Sequence, residues 1–141
     1  MSARETSPRL QSAGIDSGRA VPAFVLAWLI PGAGHVLIGD LKRGPVFFVI
    51  LTAMLAAGLA FGGRLFPVQF SEWLVFLAAL AQWGAVLPRL IAGVAGAGGG
   101  DVIAATYEYG NTFLMGAGLL NALVALDVFD RARGLKGRHR A

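Results

Sequence analysis

The chain has 141 residues, of which 56% are hydrophobic and only 14% are charged. A soluble domain has roughly 45–50% apolar and about 25% charged residues, so this composition favours one membrane domain over a soluble fold. The absence of cysteine excludes disulfides, iron–sulfur clusters and thiolate metal sites. Because only two histidines and a few carboxylates remain as ligands, we expect neither a metal nor a cofactor.

Basic residues are concentrated near the two ends of the chain. Eight of the twelve Lys and Arg residues lie there: Arg4, Arg9, Arg19, Arg131, Arg133, Lys136, Arg138 and Arg140. They flank apolar runs, as the basic residues of membrane proteins do on the cytoplasmic side. They are not interleaved with aromatic residues, as in proteins that bind single strands. We therefore expect no nucleic-acid partner and predict membrane lipid as a partner.

The composition divides the chain into three parts. Residues 1–19 are polar and lack the apolar core of a secretory signal, so we predict a disordered cytoplasmic tail. Residues 20–130 form the predicted transmembrane domain. Residues 131–141 are a basic tail, which we expect to face anionic cytoplasmic lipid.

Four apolar stretches within the middle part are predicted to be transmembrane helices. They cover residues 20–39, 44–61, 73–87 and 109–126. An extension of the third past Pro88 to Val94 stays open. About 20 helical residues cross a hydrocarbon core of roughly 30 Å, and in lipid only helices satisfy their own backbone groups. The expected fold is therefore an all-α membrane protein with about four transmembrane helices.

The first apolar stretch contains a helix-breaking sequence. Proline removes a backbone donor and glycine adds conformational freedom, so we predict that this helix is broken at Pro31-Gly32. The stretch then either crosses as two short pieces or returns as a re-entrant hairpin. With four spans and a cytoplasmic N-terminus, nine basic residues lie inside and three outside; with a re-entrant first stretch, both counts are six. The positive-inside rule favours four spans in an inner (cytoplasmic) membrane, with both termini cytoplasmic.

A glycine-rich motif at the break carries a family resemblance. It consists of Pro31, Gly32, Gly34, His35 and Gly39. The segment resembles small bacterial membrane proteins with a P-G-x-G-[HQ]-x-[YF]-x-G signature, akin to the "transmembrane two" hairpin domain, although a leucine stands where that signature has an aromatic residue. The resemblance implies a short helix, a break and a second helix.

The later part of the chain resembles a bacterial family of unknown function. The segment 106–114, Asn121 and Asp127 carry this second resemblance. It implies an architecture without an assigned activity. Asp127 and Arg131 are four residues apart, a spacing at which opposite charges pair on a helix.

Three polar residues are candidates for a functional site. His35 is the titratable group deep in the first stretch, and Glu108 and Asn111 open the fourth. Ionisable groups inside a membrane are expensive and often functional, so one hypothesis places all three in a polar pocket near the outer face. In the alternative, His35 satisfies carbonyls freed by Pro31, and Glu108 complements the dipole of its helix.

Further residues are candidates for helix packing. Gln82 and Asn121 lie in mid-helix, where interhelical hydrogen bonds are expected. Two pairs of small residues permit close approach of helices, within the chain or between chains. The packing candidates are Gly58, Gly62, Gln82, Gly118, Asn121 and Ala122.

The sequence offers no nucleophile–base set, so we expect the protein not to be an enzyme and predict no catalytic residue. The favoured function is a non-catalytic structural or accessory subunit, or a self-associating helical bundle, with other membrane subunits or itself as partners. The alternative is a small transporter or channel component that uses His35 and Glu108. A membrane enzyme that acts on lipid is the third hypothesis.

Overall fold

The computed structural model describes residues 8–134, with side chains from Gly18 onwards. The described chain is all-helical, apart from one isolated bridge between Arg64 and Gly99. Its helices are α1 (Pro8–Leu29), α2 (Ala33–Leu37), α3 (Arg43–Ala60), α4 (Trp73–Gln82), α5 (Val86–Val94) and α6 (Tyr107–Ala132). The predicted basic tail lies outside the described residues beyond Gly134.

Helix α1 begins earlier than its apolar stretch. It starts at Pro8, so residues 8–19 of the predicted disordered tail are helical; residues 1–7 lie outside the described chain. Proline suits the first position of a helix because its φ is already helical and its missing N–H would have no partner there. The apolar part, Gly18–Leu29, is about 18 Å long and too short to cross the membrane alone.

The break predicted at Pro31-Gly32 is confirmed. Helix α1 ends at Leu29, and Gly32 adopts φ +78° immediately before α2. A side chain at Gly32 would also collide with the carbonyl of Gly44 in α3. Only glycine meets both demands, because it lacks a Cβ and populates positive φ freely.

Helices α1 and α2 form a hairpin against one half of α6. Arg19 and Ile38, in the two arms, lie beside Arg131, whereas Ala27 near the tip lies beside Asn121. Ten residues of α6 separate these two levels, which is about 15 Å, or half of the hydrocarbon core. The hairpin therefore enters and leaves at the same end of α6, and Gly18–Leu29 is not among the helices long and apolar enough to cross a membrane.

The third predicted helix is also interrupted. Helices α4 and α5 are bent by 106° at residues 83–85, so the continuous helix predicted for residues 73–87 is wrong. In a continuous helix, Pro88 would lack the N–H that bonds Gly84 and would clash with its carbonyl. At the bend, that carbonyl instead accepts a hydrogen bond of 2.8 Å from Asn121.

The bent pair starts and finishes at the same end of the bundle. Leu65 N–H donates to the carbonyl of Gly98 (2.8 Å), next to the bridge between Arg64 and Gly99. Residues 65–98 therefore form an excursion between α3 and α6 that begins and ends at adjacent residues.

Two helices are long and apolar enough to cross a membrane, α3 and α6, or three if the bent pair counts as one span. The four predicted spans are not found. Helices α3 and α6 run antiparallel, since Gly58 packs on Leu114 whereas Gly116 faces the earlier residue Met54. A membrane protein built on this pair carries its hairpin and its excursion at opposite ends.

Candidate functional site

Helix α6 carries three levels of polar contacts along its length. The first level centres on Asp127, the middle level on Asn121 and the third level on Asn111. At 1.5 Å per residue, the first and middle levels are about 9 Å apart, and the middle and third levels about 15 Å apart. Polar groups inside a membrane are costly unless they are paired, so the partners at each level show what that level does.

At the first level an ion cluster fixes the hairpin. His35 Nε2 lies 3.1 Å from Asp127 Oδ2, and Arg131 Nε donates to the same oxygen at 2.6 Å. The predicted pairing of Asp127 with Arg131 is thus confirmed. The side chain of His35 is fully buried, and its ring lies 5.0 Å from that of Phe47 on α3. Asp127 therefore ties α2 to α6 through a charged hydrogen bond.

Gly34 brings His35 within reach of α6. An added Cβ at Gly34 would lie 2.6 Å from Ala27 Cβ and 3.1 Å from Val128 Cγ1. These distances are shorter than van der Waals contact, so α1, α2 and α6 meet at a point where no side chain fits. The glycine at this position sets the separation that the ion cluster then bridges.

At the middle level one amide joins the two chain breaks. Asn121 Nδ2 donates to the carbonyls of Ala27 (3.1 Å) and Trp28 (3.1 Å), in the last turn of α1, and to that of Gly84. The carbonyls of a last helical turn have no partner within the helix. Trp28 Nε1 also donates to the carbonyl of Trp83 at 3.0 Å. The interhelical bonds expected of Asn121 thus go to backbone atoms.

At the third level a loop is held by buried polar side chains. Gln82 Nε2 donates to the carbonyl of Arg64 (2.8 Å), and Gln82 Oε1 accepts from Phe66 N–H (2.9 Å). Arg89 donates to Gln82 Oε1 (2.6 Å) and to the carbonyl of Phe66 (2.5 Å). Asn111 Oδ1 accepts from the N–H of Arg64 (2.8 Å). These bonds fix the start of the excursion.

Arg89 was not among the predicted site residues. It is buried, and its guanidinium lies 5.1 Å from the ring centroid of Trp83, a cation–π distance. A signal was available, because Arg89 is the lone charged residue between Glu72 and Asp101. A lone arginine in an apolar run indicates a buried partner.

The structure does not bring His35, Glu108 and Asn111 into one pocket. His35 meets Asp127, whereas Asn111 binds Arg64, and sixteen residues of α6 separate these contacts. That is about 24 Å along the helix. Because the hairpin turns back halfway, His35 never reaches the end of the bundle where Asn111 lies. Glu108 is exposed in the first turn of α6, where it complements the helix dipole.

Residues 22–140 match a family of unknown function (DUF6677). The chain belongs to this family. The match covers α6, the excursion and all of the hairpin from Pro22 onwards, so the three polar levels all lie within the matched residues. Comparisons with curated proteins and with solved structures gave no match.

In this DUF6677 chain one member of each small-residue pair packs within the chain. Gly58 packs on Leu114, and Gly118 packs on the backbone of Ala81. Gly62 adopts φ +81° after the end of α3 and therefore closes that helix. Ala122 lines an open apolar groove between α1, α4 and α6. Among residues 18–134, whose side chains the structure describes, no group of three or more His, Asp or Glu residues is arranged to hold a metal ion.

Proposed function

We propose that this protein is a non-catalytic membrane protein that works through contacts with other membrane subunits or with copies of itself. The observation that carries this proposal is the use of its buried polar groups. Gln82, Asn111 and Asn121 all bind backbone atoms of the chain itself. A substrate site needs polar groups aimed at a cavity, and these groups hold the chain together instead.

Helix α3 supplies the contact surface in this proposal. Only 17% of the residues of α3 are buried within the chain, against 39% of the residues in the apolar part of α6. Its exposed side chains include Val46, Phe48, Val49 and Ile50. A spanning helix that is so little covered by its own chain has most of its circumference available to lipid or to a partner helix.

We further propose that both termini are cytoplasmic and that α3 and α6 alone span the membrane. The support comes from charge. In the sequence, ten of the twelve basic residues flank the segments that begin or end where the hairpin opens: three before Ala20, then Lys42 and Arg43, then five after Phe129. Arg64 and Arg89 belong to the excursion. This bias is stronger than the nine to three of the four-span arrangement, and Lys42 and Arg43 no longer oppose the positive-inside rule.

Single cysteines test the proposed contact surface, because the chain has none of its own. We expect Val49→Cys, on exposed α3, to give a disulfide-linked product in native membranes. The matched control is Leu123→Cys, an equally exposed position on α6. Native mass determination of the product distinguishes a second copy from a foreign subunit. Cross-linking that is equal at both positions, or absent at Val49, would contradict the proposal.

A transporter or channel component is the second candidate, and one observation favours it. Both breaks meet at Asn121, in the middle of α6, and discontinuous helices that meet near the bilayer midplane are typical of transporters. The ionisable set would then be His35, Asp127 and Arg131 in place of His35 and Glu108. Proton flux into vesicles that contain the purified protein, abolished by Asp127→Asn, would favour this candidate over the first.

A further inference from the structure

An apolar groove opens between α1, α4 and α6 on the outside of the bundle. Its volume is about 590 Å³. It is lined mainly by aromatic and aliphatic side chains, among them Phe24, Trp28, Leu77, Leu80, Leu119 and Leu126. The groove lies on the half of α6 that also packs against the hairpin.

The wall that α6 contributes to the groove continues to a cation. Leu119, Ala122, Leu126, Phe129 and Arg133 follow one another at spacings of three and four residues, so they share one face of the helix. The ring of Phe129 packs edge-on against that of Phe24 at 6.0 Å. The guanidinium of Arg133 lies over the same Phe129 ring, 5.4 Å from its centroid.

Arg133 is available for an external anion. Its neighbour Arg131 is bound to Asp127, whereas among residues 18–134, whose side chains the structure describes, no carboxylate lies within ion-pair distance of Arg133. Its side chain is exposed at the end of α6. The contact with Phe129 holds the guanidinium at the edge of the apolar wall.

The length of this surface fits a lipid of one leaflet. Leu119 and Arg133 are fourteen residues apart, or about 21 Å along α6. Half of a bilayer with its headgroup region is about 20–22 Å, so a headgroup at Arg133 would place the end of its acyl chain near Leu119. The apolar wall and the terminal cation thus match the two parts of one phospholipid.

We propose that this groove binds one acyl chain of an anionic phospholipid, whose phosphate is bound by Arg133. Basic groups next to a membrane attract anionic lipid, and a guanidinium offers the paired N–H donors that a phosphate accepts. The inference requires only that the chain lies in a membrane, and it is independent of any partner on α3.

Native mass spectrometry in mild detergent tests the headgroup contact. Phosphatidylglycerol and phosphatidylcholine with identical acyl chains are titrated against the full chain, Arg133→Gln and the control Lys42→Gln. Lys42→Gln removes an exposed charge at the same end of the bundle but away from the groove. We expect phosphatidylglycerol to bind more tightly than phosphatidylcholine, and Arg133→Gln to remove about fivefold of that preference. An equal loss of this preference in Arg133→Gln and Lys42→Gln would overturn the proposal. The overall positive charge at that end of the bundle would then explain the binding without a specific contact at Arg133.

Two further experiments identify the molecule that occupies the groove. Ala122→Phe, which fills the groove, is expected to lower retention of both lipids, whereas Ala53→Phe on the exposed face of α3 leaves it unchanged. An unchanged lipid retention in Ala122→Phe would overturn the proposal. Inorganic phosphate should not displace the bound phosphatidylglycerol; displacement would mean that Arg133 binds the anion without the chain. A lipid-free dimer that Ala122→Phe dissociates would identify a second copy as the occupant and would also overturn it.

Discussion

The hairpin at Pro31-Gly32 and the bend at residues 83–85 interrupt helices at the same depth, but they are held by different chemistry. The hairpin is tied to α6 by the ion cluster of His35, Asp127 and Arg131. The excursion is tied by the amide of Gln82, together with one buried guanidinium. Asn121 serves both. In both regions the freed carbonyls of the broken helix have the same partner, Asn121, whereas the remaining contacts differ.

The largest effect is expected where the two regions share a residue. Asn121→Leu keeps the volume of the side chain but leaves the carbonyls of Ala27, Trp28 and Gly84 without their donor. A buried group without its hydrogen bond costs about 1–3 kcal/mol, so we expect the free energy of unfolding to fall by about 3 kcal/mol. Thermal unfolding in detergent measures this. Leu123→Ala, at an exposed position of the same helix, should change little; a similar loss there would remove the special role of Asn121.

The next largest effect is confined to the hairpin. Gly34→Ala introduces a Cβ against Ala27 and Val128, and overpacking of this kind costs about 1–3 kcal/mol. Gly93→Ala is the matched control, because Gly93 lies in α5 with open space around it. Alanine there should be neutral or stabilising by roughly 0.5–1 kcal/mol. If both variants unfold at the same temperature, close packing of the hairpin is not required.

A third change separates the excursion from the hairpin. Arg89→Gln removes the guanidinium bonds to Gln82 and Phe66; relief of a buried charge offsets part of the loss, and we expect about 1.5 kcal/mol. The loop should open, so that trypsin cleaves faster after Arg64. Cleavage after Arg19, in the hairpin, serves as an internal control and should stay constant. Faster cleavage at both sites would show that the two regions unfold together.

The smallest effect tests the ion cluster. Asp127→Asn keeps the shape of the side chain but removes its charge, and we expect a loss of about 1 kcal/mol with faster trypsin cleavage after Arg19 alone. Glu108→Gln is the control, since that carboxylate is exposed and its replacement should cost under about 0.5 kcal/mol. If the Glu108 variant were less stable than the Asp127 variant, the result would support the hypothesis of a polar pocket near the outer face.

The helices were predictable where local pattern decides them. The second and fourth apolar stretches correspond to α3 and α6, although α6 is longer at both ends, and the break at Pro31-Gly32 was read from residue type alone. The direction of the chain after the break was not predictable. Proline and glycine stop a helix, but whether the next piece advances or returns depends on Gly34 fitting between α1 and α6. The span count assumed that each apolar stretch was straight.

The contacts of the site were predictable only where they are local. The Asp127–Arg131 pair follows from a spacing of four residues on one helix. His35 and Asp127 are ninety-two residues apart, and nothing in the local pattern of either identifies the other. The same holds for Arg89, which contacts a loop twenty-three residues earlier. Its partners depend on the bend before Pro88, which the predicted straight helix did not contain.

The hydrogen bond between Leu65 and Gly98 gives the excursion adjacent ends. A segment whose ends touch can change in length without moving the elements on either side, provided that its own contacts with α1 and α6 are kept. The entropic cost of closing such a loop rises by only about 0.6 kcal/mol for each doubling of its length. Insertions into residues 65–98 are therefore expected to leave α3 and α6 in place as long as Gly84 still reaches Asn121 and Ala81 still packs on Gly118.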